Sequence, residues 1–570
     1  MEEPSVFYWI PGFAGMTFPV TINSAVHKKS MAPFKAIFER RIWEREIFLI
    51  LILLSLCYVL FFFRLGTPPL WDGDEGMHAA TSKDMVLSGD WITPTLNGEK
   101  FYDKPVLYNW FVSLSFLVFG FNEFAARLPS ALLGTGCVMI AYLLGRSMFG
   151  PMIGFLSGIV LATSGEHLVL SRVVVHDIAL AFFITLALFF FYKGYKEERA
   201  RKKYFLLFYG SAGFAVVAKG PVGMLLPALI IGLFLLVERR SGLLREVITP
   251  WGILLFLVIA APWYVLIILK NREYGSYFFI EQNLMNFLSS EARHHGPFYY
   301  YFPVLAGGFF PWSGFLPLAL FWGVRRRSEN REAVTFLAIW FFVIFAFFSV
   351  ASSKLDTYIL PLFPAISCLV GLLWHDLLKV QTASLRRGFL LSFLLLFGLL
   401  FAAMLYLWFT PLTSLKLDYG LDMARLRYYG LPLLAAFVVP FGLFLKKCLR
   451  TSFLALAGVT VSSMLLAFWL IVPMMDPYRS TKGFALKLDR MLAPGEKIVF
   501  GRVLRDSALF YTNRKALLLT TRKELTGFLT SENRVFCVIR KSLIEDDERW
   551  RRMAYIIAEE GHKAIVSNRK

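Results

Sequence analysis

Uncharged apolar runs follow one another from Ile47 to Val472, most of them separated by short polar connections. A helix needs about 20 apolar residues, with a range near 17–25, to cross a bilayer. Candidate spans are Ile47–Phe63, Leu128–Met148, Ile153–Leu170, Ile178–Tyr192, Tyr204–Ala218, Val222–Val237 and Trp251–Leu269. Tyr301–Val324, Ala333–Val350, Tyr358–Trp374, Phe389–Phe409, Leu431–Leu445 and Phe453–Val472 bring the number to about thirteen.

Val106–Phe121 is also apolar, and charge decides its status. Lys and Arg cluster before Ile47, at Arg146, and at Lys193–Lys203, Arg239–Arg245, Arg325–Arg331, Arg386–Arg387 and Lys446–Arg450. If Val106–Phe121 does not cross, all of these fall on one face, as the positive-inside rule requires. If it crosses, the first cluster is separated from the rest. The segment is therefore expected to lie flat at the outer surface as an interfacial helix. An odd number of crossings then leaves the N-terminus cytoplasmic and places everything after Val472 outside.

From Asp476 onward the chain is polar. Short apolar runs (Lys497–Phe500, Leu517–Leu519, Val535–Ile539, Ala564–Val566) alternate with helix-like segments such as Lys482–Leu492 and Glu548–Glu559. The expected organisation is a cytoplasmic arm over 1–46 and a membrane domain over 47–475 with a long outer loop at 64–127. A small α/β outer domain over 476–570 completes it. Residues 1–30 lack the pattern of a signal peptide and are read as a misassigned start or an extension, with Met31 opening a more ordinary one. No internal repeat of the kind many transporters carry is visible.

Composition supports this polytopic α-helical reading. Hydrophobic residues make up 57% and charged residues 18% of the 570, against roughly 45–50% and about 25% in soluble domains. The net charge of +20 sits in the connections between spans, and no nucleic-acid-binding module accompanies it. Five cysteines without a CxxC or Cys/His cluster form neither a disulfide framework nor a zinc site.

Ionisable residues without a topological duty gather on the other, outer face. The loop between Arg64 and Arg127 carries Trp71-Asp72-Gly73-Asp74-Glu75-Gly76, Ser88-Gly89-Asp90-Trp91, Asn97-Gly98-Glu99 and Tyr102-Asp103-Lys104-Pro105. A connection of that length is usually functional. His176-Asp177, Lys219-Gly220-Pro221, Tyr277–Asn283, Arg293-His294-His295-Gly296-Pro297, Ser352-Ser353-Lys354 and Thr357-Tyr358 all fall on the same face. Carboxylates and lysines at a membrane surface suit a lipid-linked anion and chemistry on its head group. Each also has a structural explanation: Asp177 can cap a helix, and the lysines can snorkel. A divalent metal is considered for Asp103, Glu281, His294 and His295, although their spacing shows no tight ligand motif.

These motifs, with Arg127–Ser130, Ala218–Pro221, Phe279–Leu284, His295–Pro297 and the Ser-Lys…Thr-Tyr…Leu-Pro pattern of Ser353–Pro361, resemble the bacterial integral-membrane glycosyltransferases of the C-type (GT-C) fold. The lipid A aminoarabinose transferases and the protein O-mannosyltransferases are the most similar branches. The resemblance implies a multi-pass inner-membrane enzyme with a periplasmic C-terminal domain. Its donor would be a polyprenyl (undecaprenyl) phosphate sugar, and its acceptor lipid A, another envelope lipid, a glycan or a protein Ser/Thr. It implies catalytic roles for Asp74, Glu75 and Asp177, and lipid-phosphate binding by Lys104, with Tyr358 near the phosphate. Lys219, Arg293 and Lys354 are further candidates for the phosphate on chemical grounds. A single direct displacement would invert the anomeric centre. The chain departs from related lipid A transferases at Gly76-Met77-His78, where they tend to have Arg-Tyr after Asp-Glu, at Asp103 in place of Glu, and at Leu355-Asp356. Two other classes remain in view: a lipid or sugar transporter or flippase, which would want charges at mid-membrane, and a non-catalytic assembly component.

Overall fold

The computed structural model describes residues 46–285, 295–325, 327–409, 423–503, 505–545 and 547–569. Its first helices are α1 (Glu46–Phe62), α2 (Asp74–Ser88), α3 (Leu107–Phe119), α4 (Glu123–Phe149), α5 (Pro151–Ala162) and α6 (Gly165–Leu170). Next come α7 (Asp177–Lys196), α8 (Arg201–Lys219), α9 (Val222–Val237) and α10 (Pro250–Lys270). After them lie α11 (Tyr301–Gly308), α12 (Trp312–Arg325), α13 (Asn330–Val350), α14 (Asp356–Val380), α15 (Ala383–Phe409), α16 (Met423–Leu445) and α17 (Leu449–Arg479).

Among the described residues seven helices, α4, α7, α10, α13, α14, α15 and α17, are long and apolar enough to cross a membrane, and the bent pair α11–α12 makes an eighth. This is a multi-span membrane protein. The other predicted runs coincide with shorter helices or, at Tyr204–Ala218, with α8, so thirteen crossings require these to cross as well. Helix α3 has 13 residues, about 20 Å at 1.5 Å per residue, and is too short for a hydrocarbon core of about 30 Å. One face is buried through Tyr108, Asn109, Val112 and Phe116, while Leu114, Leu117 and Val118 are exposed. That division fits the flat helix expected from the charge pattern.

Two expected spans are broken. Ile153–Leu170 divides between α5 and α6, where Thr163 and Ser164 bond back to the carbonyls of Ile159 and Leu161 (2.6 and 2.9 Å). Such hydroxyls compete with the helix ladder, and the Trp312 indole takes up Thr163 Oγ1 from outside (2.9 Å). Tyr301–Val324 bends by 111° between α11 and α12. Gly307 and Gly308 weaken the helix there, and Pro311 has no N–H to continue it.

The helical bundle ends later than Asp476, because α17 runs to Arg479. Beyond it, α18 (Lys482–Met491), α19 (Asp506–Tyr511), α20 (Arg522–Leu529) and α21 (Glu548–Met553) surround a five-stranded sheet. The described residues include seven strands. A short hairpin between α2 and α3 supplies β1 (Thr95–Leu96) and β2 (Glu99–Lys100); the sheet consists of β3 (Ile498–Gly501), β4 (Ala516–Leu519), β5 (Phe536–Arg540), β6 (Tyr555–Glu560) and β7 (Lys563–Ser567). Strand order is β4-β3-β5-β7-β6; β3 runs parallel to β4 and β5, and β7 antiparallel to β5 and β6. Four strands coincide with the expected apolar runs. The fifth corrects the helix expected over Glu548–Glu559: it stops at Met553, and Tyr555–Glu560 is an edge strand whose mixed polar pattern hides it. Val499, Leu525, Cys537, Ile539, Trp550 and Ala564 form the domain's core.

Candidate active site

The reactive loop is organised by α2. Gly73 precedes it at φ 93°, a conformation that favours glycine, and Asp74 and Glu75 occupy the first turn, where the helix dipole favours carboxylates. The two then diverge. Glu75 turns inward to a bidentate pair with Arg127 (2.7 and 2.8 Å) and also accepts the N–H groups of Trp71 (3.0 Å) and Val174 (3.3 Å). Arg127 donates its remaining N–H bonds to the carbonyls of Leu65, Pro68 and Pro69 (3.1, 2.7 and 2.9 Å). Asp74 is exposed, and its carboxylate has no hydrogen bond or ion pair among the described residues.

One turn after Asp74, His78 packs its ring 4.3 Å from that of His176, which directly precedes Asp177 at the head of α7. The charges of Asp103, Asp74, Lys104 and Asp177 all act on the His78 ring. Residues from α2, the loop after β2 and α7 therefore share one neighbourhood. Burial lowers the basicity of both imidazoles, and His78, Lys104 and Lys219 add to the effect on His176.

Beside this cluster lies a cavity of about 410 Å³. Its polar lining residues are Asp103, Lys104, Lys219, Gln282, Ser353 and Tyr358, and its apolar ones include Leu180, Leu225, Phe278, Phe347 and Phe348. Lys104 Nζ stands 3.2 Å from Asp103 Oδ2. Burial opposes its charge, but Asp103, Tyr358 and Asp177 together hold the ammonium above the ordinary lysine range. Lys219, at the C-terminal end of α8, forms a buried ion pair with Asp177. Its ammonium lies 4.3 Å from the centre of the Tyr358 ring.

The other sequence candidates lie differently. Lys354 is buried, and its ammonium donates to the carbonyls of Phe348, Ser349 and Ala351 (3.2, 2.8 and 2.6 Å), capping the end of α13. Glu281 is exposed. His295 pairs with Ser353 through an isolated β-bridge. Arg293 and His294 lie outside the described residues. Among the described residues no three His, Cys, Asp or Glu side chains gather as a metal site. Sequence reasoning named the Arg127–Ser130 stretch without its work: Arg127 braces the loop, while Ser130 hydrogen bonds Tyr108 (2.6 Å) and the carbonyl of Val173 (2.6 Å). An arginine near the N-terminal end of an apolar helix was the available signal.

Comparison with known proteins bears on this arrangement. Residues 103–266 match the family described as dolichyl-phosphate-mannose-protein mannosyltransferase. A protein of Aquifex aeolicus, itself uncharacterised, is 32% identical over 76% of this chain and 80% of its own length. The structure of ArnT from Cupriavidus metallidurans bound to undecaprenyl phosphate superimposes with a TM-score of 0.76, over 91% of this chain and 98% of that one at 23% identity. The chain belongs to the GT-C-fold membrane glycosyltransferases. Undecaprenyl phosphate-α-4-amino-4-deoxy-L-arabinose arabinosyl transferases of Aeromonas salmonicida and Pseudomonas aeruginosa are 33% and 31% identical over 57% and 63% of this chain. The chain spans 60% and 65% of the length of those two relatives.

Proposed function

We propose that this glycosyltransferase moves a sugar from undecaprenyl phosphate to an envelope lipid such as lipid A, on the periplasmic side of the inner membrane. The carrying observation is the cavity's lining, which joins two lysines and a tyrosine to phenylalanines and leucines. A phosphate joined to a polyprenyl chain has the same two-part character. The names of the arabinosyl transferase relatives and the ligand of the ArnT structure point the same way. The basic connections supply the sidedness, with the N-terminus cytoplasmic and the C-terminal domain periplasmic.

In this reading Lys104 and Lys219 receive the donor phosphate, with the Tyr358 hydroxyl as a further donor. Asp177 holds Lys219 in place, Glu75 holds the loop through Arg127, and Lys354 shapes the rim by capping α13. The bond between the anomeric carbon and the phosphate oxygen breaks, the phosphate leaves with the electron pair, and an acceptor oxygen bonds from the opposite face. Asp74 takes the acceptor proton when the acceptor is a hydroxyl. Among Asp72, Asp74, Glu75, Asp103 and Asp177 it is the one carboxylate with no cationic partner among the described residues. The family description, a protein mannosyltransferase, makes protein a second acceptor class.

Reconstituted protein supplied with undecaprenyl-phosphate-linked aminoarabinose and lipid A should produce a lipid heavier by one sugar, with inverted anomeric configuration by NMR. D74N should lower kcat by about 10²–10⁴-fold, the usual contribution of a general base. A retained configuration, or full activity in D74N with a hydroxyl acceptor, would overturn this mechanism. Transfer to a peptide and not to lipid A would reassign the acceptor.

A further inference from the structure

The residues just before Asp74 are held by the carboxyl-terminal domain and the end of α17. Leu70 N–H donates to the Tyr511 hydroxyl (2.7 Å), and the Trp71 indole N–H to Asp476 (2.9 Å). Asp72 N–H donates to the Arg479 carbonyl (2.7 Å) and Gly73 N–H to Asp506 (3.2 Å). The Asp72 side chain is itself buried, only 4% exposed. Its Oδ1 accepts from Ser507 N–H (2.9 Å), Ser507 Oγ (2.6 Å) and Thr481 Oγ1 (3.2 Å), and its Oδ2 lies 3.3 Å from the Lys563 ammonium. Four successive residues are thus fastened, and the fifth is the uncommitted Asp74.

Helix α2 carries this constraint onward. At 3.6 residues per turn, Gly76 and Lys83 fall on the face opposite Asp74 and His78. Lys83 donates to the carbonyls of Phe510 and Thr512 (2.7 and 3.1 Å). Gly76 lies so close to α19 that a Cβ there would stand 2.6 Å from Ser507 N. The domain therefore grips one face of α2 while the other faces the cavity cluster.

We infer that the carboxyl-terminal domain is a positioning element for sugar transfer: Asp72, seated on Ser507, Thr481 and Lys563, fixes the first turn of α2 and so the place of the Asp74 carboxylate. The inference rests on Asp74 acting in the transfer proposed above. The domain also holds Asn97 and Glu123, but only at residues 70–73 does it, with the end of α17, fasten four successive residues, and these lead directly into Asp74. Buried carboxylates also need their partners with good geometry, so loss of one partner should shift the turn.

The test uses full-length protein in nanodiscs, comparing wild type with D72N, K563M and G76A for donor KM, kcat and thermal midpoint. Hydrogen exchange of the Gly76 and Met77 amides, which close the first turn onto Trp71 and Gly73, reports the turn directly. A misplacement on the order of 1 Å costs about a hundredfold in rate, so kcat should fall about 30- to 100-fold in D72N and K563M. Donor KM should stay within about twofold, because the phosphate lysines lie on other elements. Exchange of those two amides should rise relative to the last turn of α2, and K563R should recover part of kcat. Unchanged kcat, or a loss seen only in KM or thermal midpoint, would overturn the inference. If wild type transfers no sugar, the proposed function fails and the exchange comparison judges this one: unaltered protection in D72N would sink it. If K563M does not fold, D72N decides, since it keeps the shape of the side chain.

Discussion

Replacing Lys104 by Met separates phosphate binding from folding. The side chain is 24% exposed and its carboxylate neighbour Asp103 27%, so Asp103 can be solvated when its partner goes and the fold should suffer little. The lost interaction is one charge-assisted hydrogen bond to the donor phosphate, worth about 1.5–3 kcal/mol. That corresponds to a rise in donor KM of roughly 10- to 150-fold. The donor is a phosphodiester with one negative charge, and the departing polyprenyl phosphate approaches a second. Attraction to Lys104 therefore grows along the reaction, and kcat should fall as well, by about tenfold if half a charge has developed. Combined, kcat/KM should drop by about 10²–10³-fold. Initial rates of sugar transfer against donor concentration measure both parts, and K104R should retain part of the activity because it keeps the charge. A kcat/KM for K104M within about threefold of wild type would refute the phosphate role. Lys219 needs a different design. With both side chains 9% exposed, K219M alone strands a buried carboxylate, at about 3–5 kcal/mol. The double variant K219M/D177N removes both charges and should fold while still binding donor weakly. Wild-type donor KM in a stable double variant would remove Lys219 from the site.

Two further predictions concern the supports of the loop. E75Q breaks the buried pair with Arg127, whose side chains are 8% and 5% exposed, and should cost about 3–5 kcal/mol of stability; an unchanged melting midpoint and expression level would refute the brace. Asp506 is raised to about 6 by burial and by the charge of Asp72, against the opposing Gly73 N–H. Its folded pKa exceeds its unfolded one, so its contribution to stability is fully present below about 4 and is lost as pH rises through about 6. D506N should gain on wild type across that window by up to about 3 kcal/mol, at 1.36 per unit; a difference in melting midpoint that does not vary between pH 4.5 and 7.5 would sink the assignment.

What the sequence revealed and what it concealed divide along a physical line. The runs that became α4, α7, α10, α13, α14, α15 and α17 were legible because a bilayer demands length and apolarity locally. The shortness of α3, 13 residues, agrees with the expectation from charge sidedness, which is a global sum over connections. Breaks depended on finer chemistry: the Thr163-Ser164 hydroxyls that end α5, and the Gly307–Pro311 stretch that bends the chain by 111°, sit inside runs as apolar as their neighbours. Strand β6 was hidden because an edge strand with a half-exposed pattern reads like a helix surface.

The site shows the same division more sharply. Asp72, Asp74, Glu75, Asp103 and Asp177 look equivalent as letters, and their placement on one face was readable from topology. Their partners were not, because each pairing depends on distant chain: Glu75 finds Arg127 52 positions away, Asp177 finds Lys219 42 away, and Asp72 finds Lys563 491 away. An ion pair between segments so far apart leaves no periodic trace. Yet the pairing is what distinguishes a structural carboxylate from one able to take a proton, since a carboxylate already bonded to a cation is a weaker base. The resemblance had implied catalytic roles for Asp74, Glu75 and Asp177 alike; the pairing of the other two is what separates Asp74 from them, and the tail that secures Asp72 bears on that distinction although its own sequence carries no catalytic motif.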